Sequence, residues 1–199
     1  MNKKCAVYRE ILYQKRVHGQ IRFTQKELAS TLGISTSTVF NALKSARDTS
    51  IIRVTGRFFV LQDYRKLLYL FATERSLIKD MMFSLRLEKG SFDIEAAMPP
   101  AIAFGLYSAT QFLLSAMPTE YDHVYVYADR NTCAEIRDRV RVWVSKKNSG
   151  LAPNFFVIEK DPLFSRYPQP LLEQVFADIW NAPEWYAKDI LPKLEELLS

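Results

Sequence analysis

The spacing of small and apolar residues in the first quarter of the chain constrains the fold most. Thr24 and Glu27 have the pattern of a capping box, in which each side chain bonds the other residue's backbone amide at a helix start. Gly33 ends that helix, because glycine readily adopts the left-handed backbone of a helix end. Ala29 permits close approach of the next helix, and Val39 fixes that helix in the core. This pattern predicts a helix-turn-helix.

The flanking segments predict a winged form of this motif. Apolar residues at helical spacing indicate a first helix over residues 4–16, and residues 21–23 have the composition of a short strand. Residues 51–54 and 58–61 are rich in β-branched and aromatic side chains, and a turn containing Gly56 joins them. The order helix, strand, helix, turn, helix, hairpin is that of a winged helix.

Charge divides the chain at the end of this predicted module. Residues 1–62 carry eleven lysines and arginines and three acids, a net charge of +8, whereas residues 63–199 have a net charge of −3. A basic front on an acidic body is typical of a module that binds a polyanion, attached to a part with another task.

Over residues 4–62, the core pattern and the order of elements resemble the winged-helix regulators of the MarR and related superfamilies. The resemblance is one of architecture and identifies no target. It implies that the third helix and the wing contact double-stranded DNA.

The third helix is predicted to begin at Ser35 or Thr36 and to turn its apolar residues inward. Hydroxyl and amide side chains on its outer face can bond base edges, and an asparagine can pair bidentately with adenine. Phe40 lies at the margin of this face, where it either contacts a thymine methyl group or covers the core. The predicted DNA-binding residues are Gln25, Lys26, Thr36, Ser37, Asn41, Lys44, Arg47, Arg53 and Arg57.

The cations of this set are expected to contact the DNA backbone. Lys44 and Arg47 are spaced to reach phosphates, and Lys26 lies at a helix start, where amides favour an anion. Arg57 in the wing turn can enter the minor groove, with Arg53 at the backbone beside it. The alternative is that this polar face is solvated and the winged helix serves protein contact.

The remainder of the chain predicts a connecting helix and an α+β body with about four strands. The connecting helix covers residues 63–76, and the body covers residues 77–199. Alternating or continuous apolar residues predict the body's strands at 81–88, 123–127, 140–144 and 155–158. Helices are predicted at 101–114, from a capping box at Thr132 to residue 139, at 171–180, and at 184–198 with a kink at Pro192.

Two stretches of the body resemble AbiEi-type antitoxins and related bacterial or archaeal regulators. They are residues 103–109, followed by the Val-Tyr-Val-Tyr strand, and residues 171–180. In that family a winged helix precedes a mixed α/β domain, members repress their own operons, and some oppose a nucleotidyltransferase toxin. The resemblance implies a regulator, with an antitoxin as the alternative.

The sequence contains no motif that indicates catalysis, a metal or a cofactor. It has no glycine-rich phosphate loop, and Ser108 has no plausible histidine partner. Cys5 and Cys133 are expected to be reduced and structural, since their scatter relative to the two histidines does not suit zinc. The many aromatic residues are most simply core and rim, although a pocket for a small-molecule effector is the alternative.

Together these observations predict a cytoplasmic, prokaryotic transcriptional regulator that is not an enzyme. We expect a homodimeric repressor, because two-fold symmetry matches palindromic operators. The body is expected to supply dimer contacts, an effector site or a toxin-binding surface. No apolar run reaches the roughly 20 residues that a membrane span needs.

Overall fold

The computed structural model describes residues 1–145 and 150–198. Its helices are α1 (Lys3–His18), α2 (Gln25–Leu32), α3 (Thr36–Ala42), α4 (Lys44–Asp48), α5 (Tyr64–Glu74), α6 (Leu77–Asp80), α7 (Ser91–Ala96), α8 (Leu106–Thr110), α9 (Arg130–Val140), α10 (Leu172–Trp180) and α11 (Ala187–Leu197). Its strands are β1 (Arg22–Phe23), β2 (Ile52–Thr55), β3 (Phe58–Leu61), β4 (Met81–Leu85), β5 (Ala103–Gly105), β6 (Val124–Ala128) and β7 (Phe155–Glu159).

The predicted helix-turn-helix is confirmed in its local detail. The Thr24 hydroxyl accepts a hydrogen bond from the amide of Glu27 at 3.1 Å, and the Glu27 carboxylate accepts one from the amide of Thr24 at 3.1 Å. Gly33 ends α2 with a φ of 63°, in the left-handed region. Ala29 and Val39 are both buried where α2 and α3 meet.

The predicted wing is also confirmed. The strands form an antiparallel sheet in the order β1-β3-β2. Phe23 of β1 lies opposite Phe59 of β3, and the centroids of their buried rings are 5.6 Å apart. The chain reverses at Gly56, whose φ of 57° suits a residue without a Cβ atom.

The third helix differs from the prediction, because it is divided into α3 and α4. Ser35 caps α3 by accepting a hydrogen bond from the amide of Thr38 at 3.1 Å. The first segment ends at Ala42, and Leu43 separates it from α4. Leu43 and Ala46 are fully buried, so both segments pack on the same core.

The body contains a four-stranded sheet between two helical layers, which confirms the predicted α+β class. The strand order is β4-β7-β6-β5, with β6 and β7 parallel and the other pairs antiparallel. Along β6, Val124 and Val126 pack in a cluster with residues of α7 and α9. Tyr125 and Tyr127 point to the opposite face and pack in a cluster with residues of α8 and α10.

The predicted strand at 140–144 is wrong. Helix α9 continues to Val140, and a 3-10 helix follows at Arg141–Trp143. Ile136 and Val140 lie about one helical turn apart and are buried against the sheet. In a strand, Val140, Val142 and Val144 would share one buried face. Val142 is instead 75% exposed, so no such face forms.

The predicted helix at 101–114 is wrong in its first part. Residues 103–105 form edge strand β5, and the helix occupies only Leu106–Thr110. Gly105 lies opposite Tyr125, and a Cβ atom there would come within 3.0 Å of the Tyr127 ring. Glycine therefore permits a close approach that favours strand pairing at this position.

Two other helix boundaries differ from the predictions. Asp129, rather than Thr132, caps α9 and accepts a hydrogen bond from the amide of Thr132 at 2.9 Å. A carboxylate one turn upstream of the predicted capping box therefore begins the helix earlier. The last helix begins at Ala187 instead of residue 184, and Pro192 lies inside it without dividing it.

One hydrophobic core continues from the N-terminal module into the body. It contains Leu12 of α1, Phe71 of the connecting helix α5, and Phe176 of α10. The buried contacts of α5 thus lie between the module and the body.

Ion pairs reinforce this junction, and they use cations of α1. Arg9 is 1% exposed and donates two hydrogen bonds of 2.8 Å to the carboxylate of Asp161. Arg16 makes a similar two-point contact with Glu173, at 2.6 and 3.1 Å. Lys4 lies 2.5 Å from the carboxylate of Glu74. Three of the module's eleven basic side chains are therefore neutralised by acids outside the module.

Candidate nucleic-acid interface

The outer face of α3 and the start of α4 carry a strip of exposed side chains. Ser37 and Asn41 lie one helical turn apart on α3, and Thr36 is exposed beside Ser37. Lys44 is exposed at the start of α4, directly after the break at Leu43. Four predicted contact residues therefore lie together on the face opposite the buried core.

The N-cap of α3 also orients a predicted contact residue. The Ser35 hydroxyl lies 2.9 Å from the hydroxyl of Ser37 and 2.8 Å from that of Thr38. This network limits the rotamers of Ser37 at the start of the helix, where recognition helices contact base edges.

The start of α2 lies beside this strip. The capping box uses the amides of Thr24 and Glu27, so the first-turn amides of Gln25 and Lys26 remain for an anion. Gln25 is half-buried and Lys26 is exposed. The positive end of the helix dipole adds to the attraction for a phosphate.

A groove of about 330 Å³ joins the start of α2, α3, α4 and the wing. It is lined by five of the predicted residues: Gln25, Lys26, Thr36, Arg47 and Arg57. An adjoining depression is lined by Arg47 and Arg53. Ser37, Asn41 and Lys44 line neither and lie on the convex part of the helix face.

The two wing arginines differ in their positions. Arg57 is exposed in the turn that joins β2 and β3. Arg53 lies opposite Val60, whereas Ile52 and Val54 line the groove. Because side chains alternate along a strand, Arg53 projects from the sheet face opposite the groove.

Arg47 is less exposed than the other cations of the interface. Its Nη2 donates a hydrogen bond of 2.9 Å to the backbone oxygen of Phe40. Its guanidinium carbon lies 4.1 Å from the centroid of the Phe40 ring. The side chain is half-buried in this position.

Arg22 is a basic residue of this region that the sequence analysis did not select. It is exposed on β1, opposite Val60, and its guanidinium carbon lies 5.5 Å from the centroid of the Phe58 ring. Its sheet face is therefore the one from which Arg53 projects. The pairing of β1 with β3 brings it there, and only a correct alignment of the two strands could have predicted this.

Six basic residues lie between positions 22 and 57, and the described part of the chain provides none of them with a salt bridge. Two acids, Glu27 and Asp48, are adjacent in sequence to groove residues, and Glu27 is bound by the amide of Thr24 in the capping box. Five of these cations are therefore exposed without an acidic partner among the described residues, whereas Arg47 is half-buried. The six are Arg22, Lys26, Lys44, Arg47, Arg53 and Arg57.

The described part of the chain, residues 1–145 and 150–198, contains no group of three or more His, Cys, Asp or Glu residues that is arranged to hold a metal. None of its helices has the length and apolar composition needed to cross a membrane.

Residues 7–70 match the family model of the Crp-like helix-turn-helix domain. The match extends from α1 into the connecting helix α5 and includes the whole groove. It supports double-stranded DNA binding by a transcription regulator. Comparison with curated proteins and comparison with solved structures each give no significant match. The likeness to MarR regulators and to AbiEi-type antitoxins stays a prediction.

Proposed function

We propose that the protein is a sequence-specific, double-stranded DNA-binding transcription regulator that represses its target genes. The observation that carries this proposal is the convergence of the exposed strip of α3 with unpaired cations of α2, α4 and the wing. A helix of this kind fits the major groove, which is about 12 Å wide. The cations around it can neutralise the flanking phosphates.

The positions of the side chains support a division of roles. Thr36, Ser37 and Asn41 present hydroxyl and amide groups that can bond base edges. Lys26 and Lys44 lie on either side of these groups and suit phosphate contacts, which fix the register without reading sequence. Arg57 can enter the minor groove beside the wing.

We propose repression because the DNA-binding module is packed firmly on the body. The ion pairs and the shared core hold the module there, so a bound molecule would present its whole bulk next to the operator. A bulky object at a promoter excludes other proteins from the same DNA. Regulation by exclusion requires no further chemistry from the body.

The body also supports a protein partner, and we propose a second copy of this chain. Several large apolar side chains of the body are exposed, including Ile78, Phe92 and Trp185. A homodimer would place two recognition helices about 34 Å apart, on successive turns of one DNA face. The alternatives are an AbiE-like toxin bound by the body and a small-molecule effector. Sedimentation of the purified protein distinguishes a homodimer from a complex with a toxin. It is measured with and without a nucleotidyltransferase that a neighbouring gene encodes.

The proposal is tested by selecting preferred duplexes from a random library with the purified full-length protein. Affinity for the selected site is then measured from about 50 to about 200 mM salt and compared with a scrambled duplex. We expect an enriched site and a log–log slope near −0.9 for each phosphate contacted. Failure to enrich any sequence, with no binding to the random duplex library at low salt, would overturn the proposal.

A further inference from the structure

Phe40 is an exposed aromatic side chain within an otherwise polar strip. It lies one helical turn from Thr36 on one side and from Lys44 on the other. Half of its surface is accessible to solvent, and within the described residues the hydrophobic core does not include it. The structure therefore does not support the interpretation in which Phe40 covers the core.

Arg47 holds the Phe40 ring in place. Side chains of a helix lean toward its N-terminus, so Arg47 reaches back over the break at Leu43 toward the end of α3. The carbonyl groups of a last helical turn lack partners within the helix, and the carbonyl of Phe40 accepts a hydrogen bond from Arg47. The guanidinium group then covers one face of the ring at 4.1 Å. The exposed part of the ring keeps a defined orientation.

We propose that Phe40 is a specificity-determining residue that contacts the C5-methyl group of a thymine in the major groove, and that Arg47 is its positioning residue. The inference rests on the proposed function, in which α3 enters that groove. Thymine is the base that presents an apolar group on its major-groove edge, and a phenylalanine ring is one of its known contacts. Thr36 also carries a methyl group, but the exposed ring of Phe40 offers a larger apolar surface for this contact.

This inference changes the expected role of Arg47. The sequence pattern predicts a phosphate contact, for which the side chain would extend toward solvent. In the structure one guanidinium nitrogen is bound to the Phe40 carbonyl, and another, Nη1, is buried without a hydrogen-bond partner among the described residues. We therefore assign Arg47 to the support of the strip that reads the bases, and the exposed Lys44 is the better phosphate contact.

The experiment removes the methyl group from the DNA and leaves the rest of the base unchanged. Each thymine of the selected site is replaced in turn by deoxyuridine, and the dissociation constant of the full-length protein is measured. We expect one position at which the replacement weakens binding by about fourfold, the effect of exposing one methyl group. Phe40→Ala should bind the thymine and deoxyuridine forms of that position equally.

Phe112→Ala is the matched control, because Phe112 is 60% exposed on the body, away from the groove. This variant should keep the fourfold preference for thymine. A selected site without any thymine-sensitive position, or a preference that survives in Phe40→Ala, would overturn the role of Phe40. A failure to enrich any site in the selection is a different result and overturns the proposed function together with this inference.

Arg47→Ala separates positioning from phosphate contact. We expect this variant to reduce the ratio of the affinity for the thymine form of the site to the affinity for the deoxyuridine form. The salt dependence of binding should stay unchanged. A ratio that stays at fourfold, with a salt slope that falls by about 0.9, would instead identify Arg47 as a phosphate contact. Thermal melting of each variant establishes that the change in ratio is measured on folded protein.

Discussion

Helix α1 and the segment from Arg22 to Arg57 both carry many cations, but the structure uses the two groups differently. Arg9 and Arg16 of α1 are bound to carboxylates of the body and help to fasten the module there. The cations of the second segment surround the outer face of α3 and the wing. Net charge alone therefore does not define a DNA footprint, because the positions of acidic partners decide which cations remain available.

The largest expected effect concerns the internal cations, Arg9 and Arg16, which are paired with carboxylates of the body. Arg9→Met leaves the carboxylate of Asp161 without its partner, and breaking a buried ion pair in this way costs about 3–5 kcal/mol. We expect that loss in the free energy of unfolding measured with urea. Arg57→Met, which removes an exposed cation, should change it by less than about 0.5 kcal/mol. Equal losses of unfolding free energy in Arg9→Met and Arg57→Met would contradict the distinction between cations that stabilise the fold and cations that are exposed.

The next effect concerns base recognition by α3, which lies in the segment from Arg22 to Arg57. If Asn41 bonds a base, Asn41→Ala should reduce the free-energy difference between the selected and scrambled duplexes by about 1–3 kcal/mol. The unfolding free energy should stay within about 0.5 kcal/mol of the wild type. Asn131→Ala, at an exposed asparagine of α9, is the control and should leave discrimination unchanged. Undiminished discrimination in Asn41→Ala would exclude Asn41 from recognition.

A smaller effect is expected for the wing. Arg57→Ala should weaken binding to the selected and scrambled duplexes by a similar factor, because the minor groove, which Arg57 can enter, presents a degenerate base pattern. The magnitude of the salt slope should decrease by about 1. Binding titrations on both duplexes measure the two quantities together. A loss restricted to the selected duplex would show that Arg57 reads sequence.

The stabilisation by the Arg9–Asp161 ion pair should also depend on pH. Burial opposes the ionisation of Asp161, but the hydrogen bond and the charge of Arg9 outweigh it and lower the pKa of Asp161. The folded-state pKa lies below the unfolded value near 4, so the stabilisation is present above that value and is lost as the pH falls through the folded pKa. The unfolding free energy should therefore fall more steeply below about pH 4 in the wild type than in Asp161→Asn. Parallel curves would contradict the assigned role of this pair.

The N-terminal module could be predicted from sequence because its determinants are local. The capping box at Thr24 and Glu27, the glycine at position 33 and the alternation around the wing each act within a few residues. The same local patterns located the face that carries Thr36 and Asn41. They did not reveal the break at Leu43, which places Arg47 against Phe40.

The body was harder to predict because its determinants are distant in sequence. Val140, Val142 and Val144 alternate as in a strand, but burial of Ile136 on the sheet makes the segment helical. Gly105 lies in a strand that pairs closely with β6, where the Tyr127 ring leaves little room for a Cβ atom. Arg9 lies 152 positions from Asp161, so local sequence patterns could not separate the cations that form ion pairs with the body from those that remain at the surface.

The salt dependence of DNA binding in two double variants of equal charge decides whether the cations around α3 contact DNA. Lys26→Gln with Lys44→Gln removes two cations of the proposed interface, and Lys79→Gln with Lys188→Gln removes two exposed cations of the body. On the selected duplex, we predict that the magnitude of the log–log slope decreases by about 1.8 in the first variant. It should not change in the second. Equal slopes in the two variants would contradict the account, because the cations around α3 would then not be the ones that meet DNA.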